Sequence, residues 1–473
     1  MAISRPSTCI KITGFLVALL LSRTLVTIII SFIPQWFPMK SCIDDDENTT
    51  CTDSNIQQAK EELSISILYA TSQITTLLVS PLIGILVDAV GFDEPILVGI
   101  LCLFSTSILF AFANDLYFFI LARILHGIGA SLIFIAGTGL VSCSNYSPQI
   151  INNIYSLEWL IYGFDVFGPV YGGFAVSLFG QQGTFFILAF ILIGNMCLFI
   201  SGMMVSDSDT PDEGLTEKKP ETLQDTCRST THTQQGFMNL LKNPHIVSSA
   251  ILISVAVMPK AFLDPVLPVW MTRDFDAVSW EIAMVYLPQW ICFELAILFS
   301  TFIIHKMINK TWLLIFINLQ SIAFSSLSLY MVSAEWAIAV PTSCLSFTST
   351  IVRFLIFSIM AFLSRQLFPL DVGRIFAIYD FFTILPFAVG PLLSLPVYEY
   401  AGMFWLGFTM CVISICASPL SFVFRGVFDV QAEDEKERLS INQAQEPKYT
   451  TTPVHQQESL KQNSFKRKSS KSN

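Results

Sequence analysis

Nine ionisable residues, Arg23, Arg123, Glu158, Asp165, Lys260, Asp264, Glu294, Arg353 and Asp380, fall inside otherwise apolar runs. A charge in lipid costs roughly 2.5–3.5 kcal/mol on insertion scales, so such groups face a cavity and find partners. Four are basic and five acidic, a near balance that points to internal pairing. Burial favours the protonated form of a carboxyl and a nearby cation the ionised form, so breaking and remaking a pair can load and unload a proton. Lys260 and Asp264 stand four residues apart, within direct reach on one helix. At about 1.5 Å per residue, Arg23 and Asp165 each lie about 16 Å from the same end of their runs, and Arg353 and Asp380 about 15 and 9 Å. These depths suggest the pairs Arg23–Asp165 and Arg353–Asp380, with Glu294, also about 15 Å deep, competing for Arg353. The plainer reading is that such pairs only lock helices together. His126 reads as a polar helix contact rather than a proton relay, and Trp290 and Tyr379 could offer a π-face to an organic cation.

The elements that hold these residues are long and apolar. The chain is 53% hydrophobic and 13% charged, with 41 phenylalanines, and its mean hydropathy is +0.61. A soluble chain of this size needs far more surface charge. The apolar runs are Ile12–Ile33, Ser64–Val90, Ile96–Ala113, Leu116–Val141, Ile154–Leu178, Phe185–Val205, Ile246–Trp270, Ile282–Ile304, Trp312–Met331, Ala337–Phe362, Ile375–Tyr398 and Met403–Phe424. Each is long enough to cross a bilayer as a helix. The expected fold is therefore an all-α integral membrane protein of twelve transmembrane helices. Its organisation reads as an N-terminus over 1–11, a six-helix half over 12–205, a hydrophilic linker over 206–245, a second six-helix half over 246–425 and a disordered tail over 426–473. Two halves around one long linker is a pattern of secondary transporters.

Basic residues set the orientation. With both termini inside, the cytoplasmic segments hold Arg5, Lys11, Lys218, Lys219, Lys242, Lys306, Lys310, Arg365, Arg374 and the basic tail, against Lys40, Lys60 and Arg273 outside. The sequon at Asn48 then falls in an extracytoplasmic loop and is a glycosylation candidate. Cys42 and Cys51 flank that polar loop and could form a local disulfide there. The net charge of -10 disfavours a nucleic-acid partner. No metal-ligand spacing, nucleophile–base pair or phosphate loop is present, so neither an enzyme, a metal nor a cofactor is expected, and a monomer is the favoured state.

Short segments carry a resemblance. Gly84-Ile85-Leu86-Val87-Asp88-Ala89-Val90-Gly91 resembles the loop motif between spans two and three of the major facilitator superfamily. Leu121-Ala122-Arg123-Ile124-Leu125-His126-Gly127-Ile128-Gly129 is similar to its span-four motif, with His126 in place of the usual Gln. Gly168-Pro169-Val170-Tyr171-Gly172-Gly173 resembles the antiporter motif of span five. Glycines allow close helix approach, and a proline can kink a helix that must flex. In the second half, Phe262-Leu263-Asp264-Pro265-Val266-Leu267-Pro268, His305-Lys306-Met307 and Phe376-Ala377-Ile378-Tyr379-Asp380 resemble the vesicular amine transporters, the monoamine and acetylcholine carriers.

That resemblance implies exchange of protons for a small organic amine across a vesicle membrane, with Asp264 and Asp380 standing where the family has acids. The chain departs from the family elsewhere. Ser22-Arg23 replaces an Asp-Asn pair, Ser72 replaces a lysine, Arg353 falls where an aspartate is expected, and Ala89, Phe92 and Asp93 replace basic residues of the loop motif. A guanidinium in place of a carboxylate inverts the local field. An anionic or zwitterionic solute bound through Arg23 and Arg353 is the rival expectation, and a non-transporting membrane sensor or scaffold is the third. A secretory or synaptic vesicle address follows from the resemblance alone, and a plasma-membrane address fits the same chemistry.

Overall fold

The computed structural model describes residues 6–28, 51–144, 148–163, 167–208, 236–277, 279–307 and 310–425. All regular structure in them is helical: α1 (Pro6–Thr27), α2 (Cys51–Val90), α3 (Asp93–Phe112), α4 (Leu116–Ser142), α5 (Pro148–Gly163), α6 (Phe167–Ser208), the short α7 (Phe237–Leu240), α8 (Pro244–Phe275), α9 (Ser279–Met307), α10 (Thr311–Ser328), α11 (Ala339–Gln366) and α12 (Val372–Ala417), with 3-10 turns before α11 and after α12.

Twelve crossings result because two long helices are each broken at a glycine. Within α6, Gly180 has φ 68° and ψ 179°; within α12, Gly402 has φ 79° and ψ 174°. Only glycine holds that backbone region without strain. A straight helix of 46 residues would run about 69 Å, more than twice a bilayer core of about 30 Å. The break lets the chain return instead, and it falls between the last two crossings of each half. The fifth crossing is α5 together with the first turns of α6, and the sixth is the rest of α6.

Each half packs mainly within itself: α1 on α6, α3 on α4 and α6, α8 on α11 and α12, α9 on α11. Across the halves the contacts run α2 to α12, α5 to α9, and α4 to α11 and α12. Apolar side chains face outward as well as inward, and polar ones are enclosed among them. Leu78, Phe190, Phe324 and Leu392 are exposed, whereas Ser80, Thr106, Thr138, Glu158 and Ser364 are wholly buried. Hydroxyls satisfy themselves on the carbonyl one turn earlier, as Thr106 does on Cys102 and Ser300 on Ala296, so they can sit inside without a water partner.

One boundary differs from expectation. The second span begins as a helix at Cys51 rather than Ser64. Its extra turns, Gln57-Gln58-Ala59-Lys60-Glu61-Glu62, are strong helix formers that hydropathy does not register. Part of the linker is also helical, over α7, and α8 opens at Asn243, whose side chain accepts the backbone N–H of His245 at 2.9 Å ahead of Pro244 at the first helical position.

Candidate functional site

Four helices from both halves enclose a cavity of about 160 Å³, lined by Tyr162 of α5, Lys260 and Asp264 of α8, Tyr286, Trp290 and Phe293 of α9, and Ser346 and Ser349 of α11. Asp264 lies twenty residues into α8, about 30 Å from the end of the bundle that carries the linker. The cavity therefore belongs to the opposite end. Its wall holds one ion pair, Lys260 Nζ to Asp264 Oδ2 at 3.3 Å, as the four-residue spacing predicts, with the side chains 50% and 38% exposed. Tyr286 donates to the Asp264 carbonyl at 3.5 Å, and the Trp290 indole donates to the Gly163 carbonyl. The Glu294 carboxylate fills the place a Cβ on Gly163 would take, so a larger residue there would displace that side chain.

Beneath the cavity, α5 presents Glu158, Trp159 and Tyr162 on one face. The Arg23 guanidinium of α1 sits over the Tyr162 ring, 4.8 Å from its centroid. Arg353 of α11 sits over Trp159 at 5.0 Å. The two rings are 5.6 Å apart, so cations from opposite halves stack on neighbouring rings of one helix. A π-face attracts a desolvated guanidinium by ~2 kcal/mol, which helps explain how two arginines are held in the interior. Trp159 also packs edge-on against Phe354 and Phe357 of α11, and Phe357 continues to Tyr379 of α12. Glu158 is fully buried.

Asp380 lies at the seam between the halves. Its Oδ2 accepts from Ser80 of α2 at 2.5 Å and from Ser131 of α4 at 3.1 Å. The expected Arg353–Asp380 pair is thus not formed. Asp380 turns toward α2 and α4, while Arg353 turns toward α5, and helix depth alone does not reveal which face a residue presents. Serine hydroxyls are donors that no charge inventory would register.

The linker end is sealed by contacts across the same seam. Asp88, at the end of α2, accepts the backbone N–H of Gly373 at 2.6 Å and of Arg374 at 3.1 Å, capping the first turn of α12. The Arg374 guanidinium lies 3.7 Å from the same carboxylate and also pairs with Asp371. A carboxylate on exposed N–H groups at a helix start is favoured by hydrogen bonding and by the helix dipole. Gly84 permits the approach: a Cβ there would meet the Ala377 Cβ at 2.5 Å. The motif's missing basic residues are thus replaced by Arg374 from the other half. Ser142 meets Ser364 at 3.1 Å and Ser156 meets Thr301 at 2.7 Å, closing α4 on α11 and α5 on α9.

The other motif residues serve packing. Gly91, with φ 116°, turns the chain from α2 into α3, and Asp93 just beyond it pairs with the buried Lys11 at 2.7 Å. Arg123 donates to the Val26 carbonyl at 3.2 Å, and His126 Nε2 lies 3.1 Å from the Ser22 carbonyl, a polar contact between α1 and α4. A Cβ on Gly127 would stand 2.7 Å from the Ser72 carbonyl. Gly172 is buried within α6, where Gly168 and Pro169 occupy the first turn. Asp165, Asn48 and Cys42 lie outside the described residues, and the Cys51 side chain does as well. Trp159, Tyr162, Tyr286, Ser80 and Ser131 went unremarked in the sequence. The i,i+3 spacing of Trp159 and Tyr162 beside Glu158 was the available signal. Among the described residues no cluster of three metal-ligating side chains occurs.

The sequence profile described as Major Facilitator Superfamily matches residues 15–369. The chain is 27% identical over 366 residues to the chromaffin granule amine transporter of Rattus norvegicus, covering 76% of this chain and 66% of that protein. It is 26% identical over 381 residues to the synaptic vesicular amine transporter of Homo sapiens, covering 79% and 69%. It is 23% identical over 457 residues to the vesicular acetylcholine transporter of Drosophila melanogaster, covering 93% and 76%. The chain therefore spans about two thirds of the length of the two amine transporters. In fold it resembles the crystal structure of the human organic anion transporter MFSD10 (TETRAN), with TM-score 0.66 and 14% identity over 88% of this chain and 100% of that one.

Proposed function

The chain belongs to the major facilitator superfamily, and on that premise we propose that this multi-pass membrane transporter exchanges protons for a small organic amine. The observation that carries the reading is Asp264, a half-exposed carboxylate on a cavity wall that also carries the rings of Tyr162, Tyr286, Trp290 and Phe293. A carboxylate with π-faces around it is the chemistry of an organic cation site. An incoming ammonium replaces Lys260 at Asp264, exchanging one N⁺–O⁻ contact for another. Amine substrates in the names of two of the relatives support the same solute class. Asp380 is the proton carrier in this reading. It is buried, held among the described residues by the hydroxyls of Ser80 and Ser131, and lies where the halves must part. The relatives' names also support a vesicle membrane as its location, and a monomer is the proposed unit.

A second reading rests on Arg23 and Arg353. Their guanidiniums lie beside the cavity floor, and an anionic or zwitterionic solute could draw them off their rings. The deciding experiment is uptake of labelled amines and labelled organic acids into acidified proteoliposomes, with and without a proton ionophore. Amine uptake abolished by the ionophore, by Asp264→Asn and by Asp380→Asn supports the proposal. Uptake of acids alone, lost in Arg353→Ala, replaces it with the second reading. Uptake of neither class speaks for a membrane protein that keeps the fold without moving these solutes.

A further inference from the structure

We propose that Glu158 is a second proton-exchanging site, protonated in this conformation; the inference deepens the proton-coupled reading above and rests on it. Glu158 is 0% exposed and sits one helical turn below Tyr162, the floor of the cavity. Its polar surroundings are sparse. Oε1 lies 3.1 Å from Thr138 Oγ1, and Oε2 has no hydrogen-bond partner among the described residues. Thr138 Oγ1 also lies 2.6 Å from the carbonyl of Phe134. A threonine hydroxyl has one hydrogen. The shorter contact, to a carbonyl that cannot donate, claims it. Thr138 can at best share that hydrogen with Glu158, whereas a protonated carboxyl group donating to the hydroxyl satisfies both contacts.

Among the described residues no cation forms an ion pair with Glu158, and Arg365 of α11 acts on the neighbouring Tyr155. The titratable groups facing Glu158 are Tyr155 and Tyr162 on its own helix and Tyr379 from α12. Arg23 and Arg353 stack on the rings of Tyr162 and Trp159, and α9 presents Glu294 at the level of Gly163. None of these forms an ion pair with Glu158 among the described residues. A fully buried carboxylate with neither a cation nor two donors would be costly, and the group neutralises instead.

Position makes the proton exchangeable rather than merely structural. Glu158 lies between the cavity floor at Tyr162 and the seals Ser156–Thr301 and Ser142–Ser364. When those seals part, water reaches the carboxyl group and accepts its proton on the linker side. When they close, a proton arriving from the cavity restores this state.

The test is infrared spectroscopy of the purified full chain in lipid nanodiscs, which requires no substrate and so stands or falls apart from the amine assignment. A protonated-carboxyl band is expected at neutral pH, lost in Glu158→Gln, retained in Asp380→Asn and bleached as the pH rises. Thr138→Val should move the band to the higher frequency of a carboxyl group without an acceptor, a readout that needs Glu158 itself intact. A spectrum unchanged by Glu158→Gln would overturn the proposal. So would a Glu158 band that never titrates up to the pH at which the fold is lost.

Discussion

The Arg353 guanidinium lies 5.0 Å from the centroid of the Trp159 indole, joining the second half of the bundle to the first through a charge and a ring. This contact must be remade in every cycle that separates α5 from α11. Trp159→Ala removes the π-face together with the edge contacts to Phe354 and Phe357 and should destabilise the protein by about 3–5 kcal/mol, the range for emptying a buried aromatic site. Trp159→Phe keeps a ring and should recover most of that. Thermal unfolding of the purified variants, followed by tryptophan fluorescence, gives the comparison. Equal melting temperatures for Ala and Phe would refute the packing account.

Asp88→Asn keeps the size of the side chain while removing its charge and one acceptor from the first turn of α12. Loss of a charged hydrogen bond costs roughly 1.5–3 kcal/mol, and here that loss falls on the closed linker end. Spin labels placed on the ends of α2 and α12 should report a population with that end open. Gly84→Val should act in the same direction through its clash with Ala377. Unaltered distance distributions in both variants would mean that the seal does not depend on this corner.

Lys260 and Asp264 are half exposed, and an ion pair of that kind contributes about 0–1 kcal/mol to stability. Asp264→Asn should therefore leave the melting temperature nearly unchanged while lowering affinity for the transported amine at least tenfold. Titration of solute-induced thermal stabilisation separates the two effects. A large fall in melting temperature without a change in affinity would assign the pair to the scaffold.

His126 is buried and its Nε2 approaches the Ser22 carbonyl at 3.1 Å. His126→Gln can supply the same donor and should be tolerated, whereas His126→Leu removes the buried polar contact to Ser22 and should cost about 1 kcal/mol. Thermal melts of both variants decide the matter. If Gln proves as damaging as Leu, the imidazole has a role beyond that hydrogen bond.

Much of the architecture was legible in the chain because its determinants are local. A run of about twenty apolar residues crosses a bilayer whatever its neighbours do, and a charged linker between six runs and six divides the halves. Lys260 and Asp264 pair because one helix carries both at a spacing of four. The start of α2 escaped because hydropathy measures lipid affinity and not helix propensity. The breaks at Gly180 and Gly402 appeared only as ends of apolar runs.

The interior partnerships belong to the tertiary structure. Asp380 finds Ser80 and Ser131, hundreds of residues away in sequence, and Arg353 stacks on the Trp159 ring of the other half. Helix depth restricts which residues stand at one level, but rotation of each helix about its axis decides which of them meet. That rotation is set by the packing of all neighbours together. Sequence alone therefore determined that this is a twelve-span transporter fold with charges in its core. Only the folded bundle decided which charges are paired, which are stacked on aromatic rings and which, like Glu158, are enclosed without an ion-pair partner among the described residues, because burial and partner are properties of three-dimensional proximity.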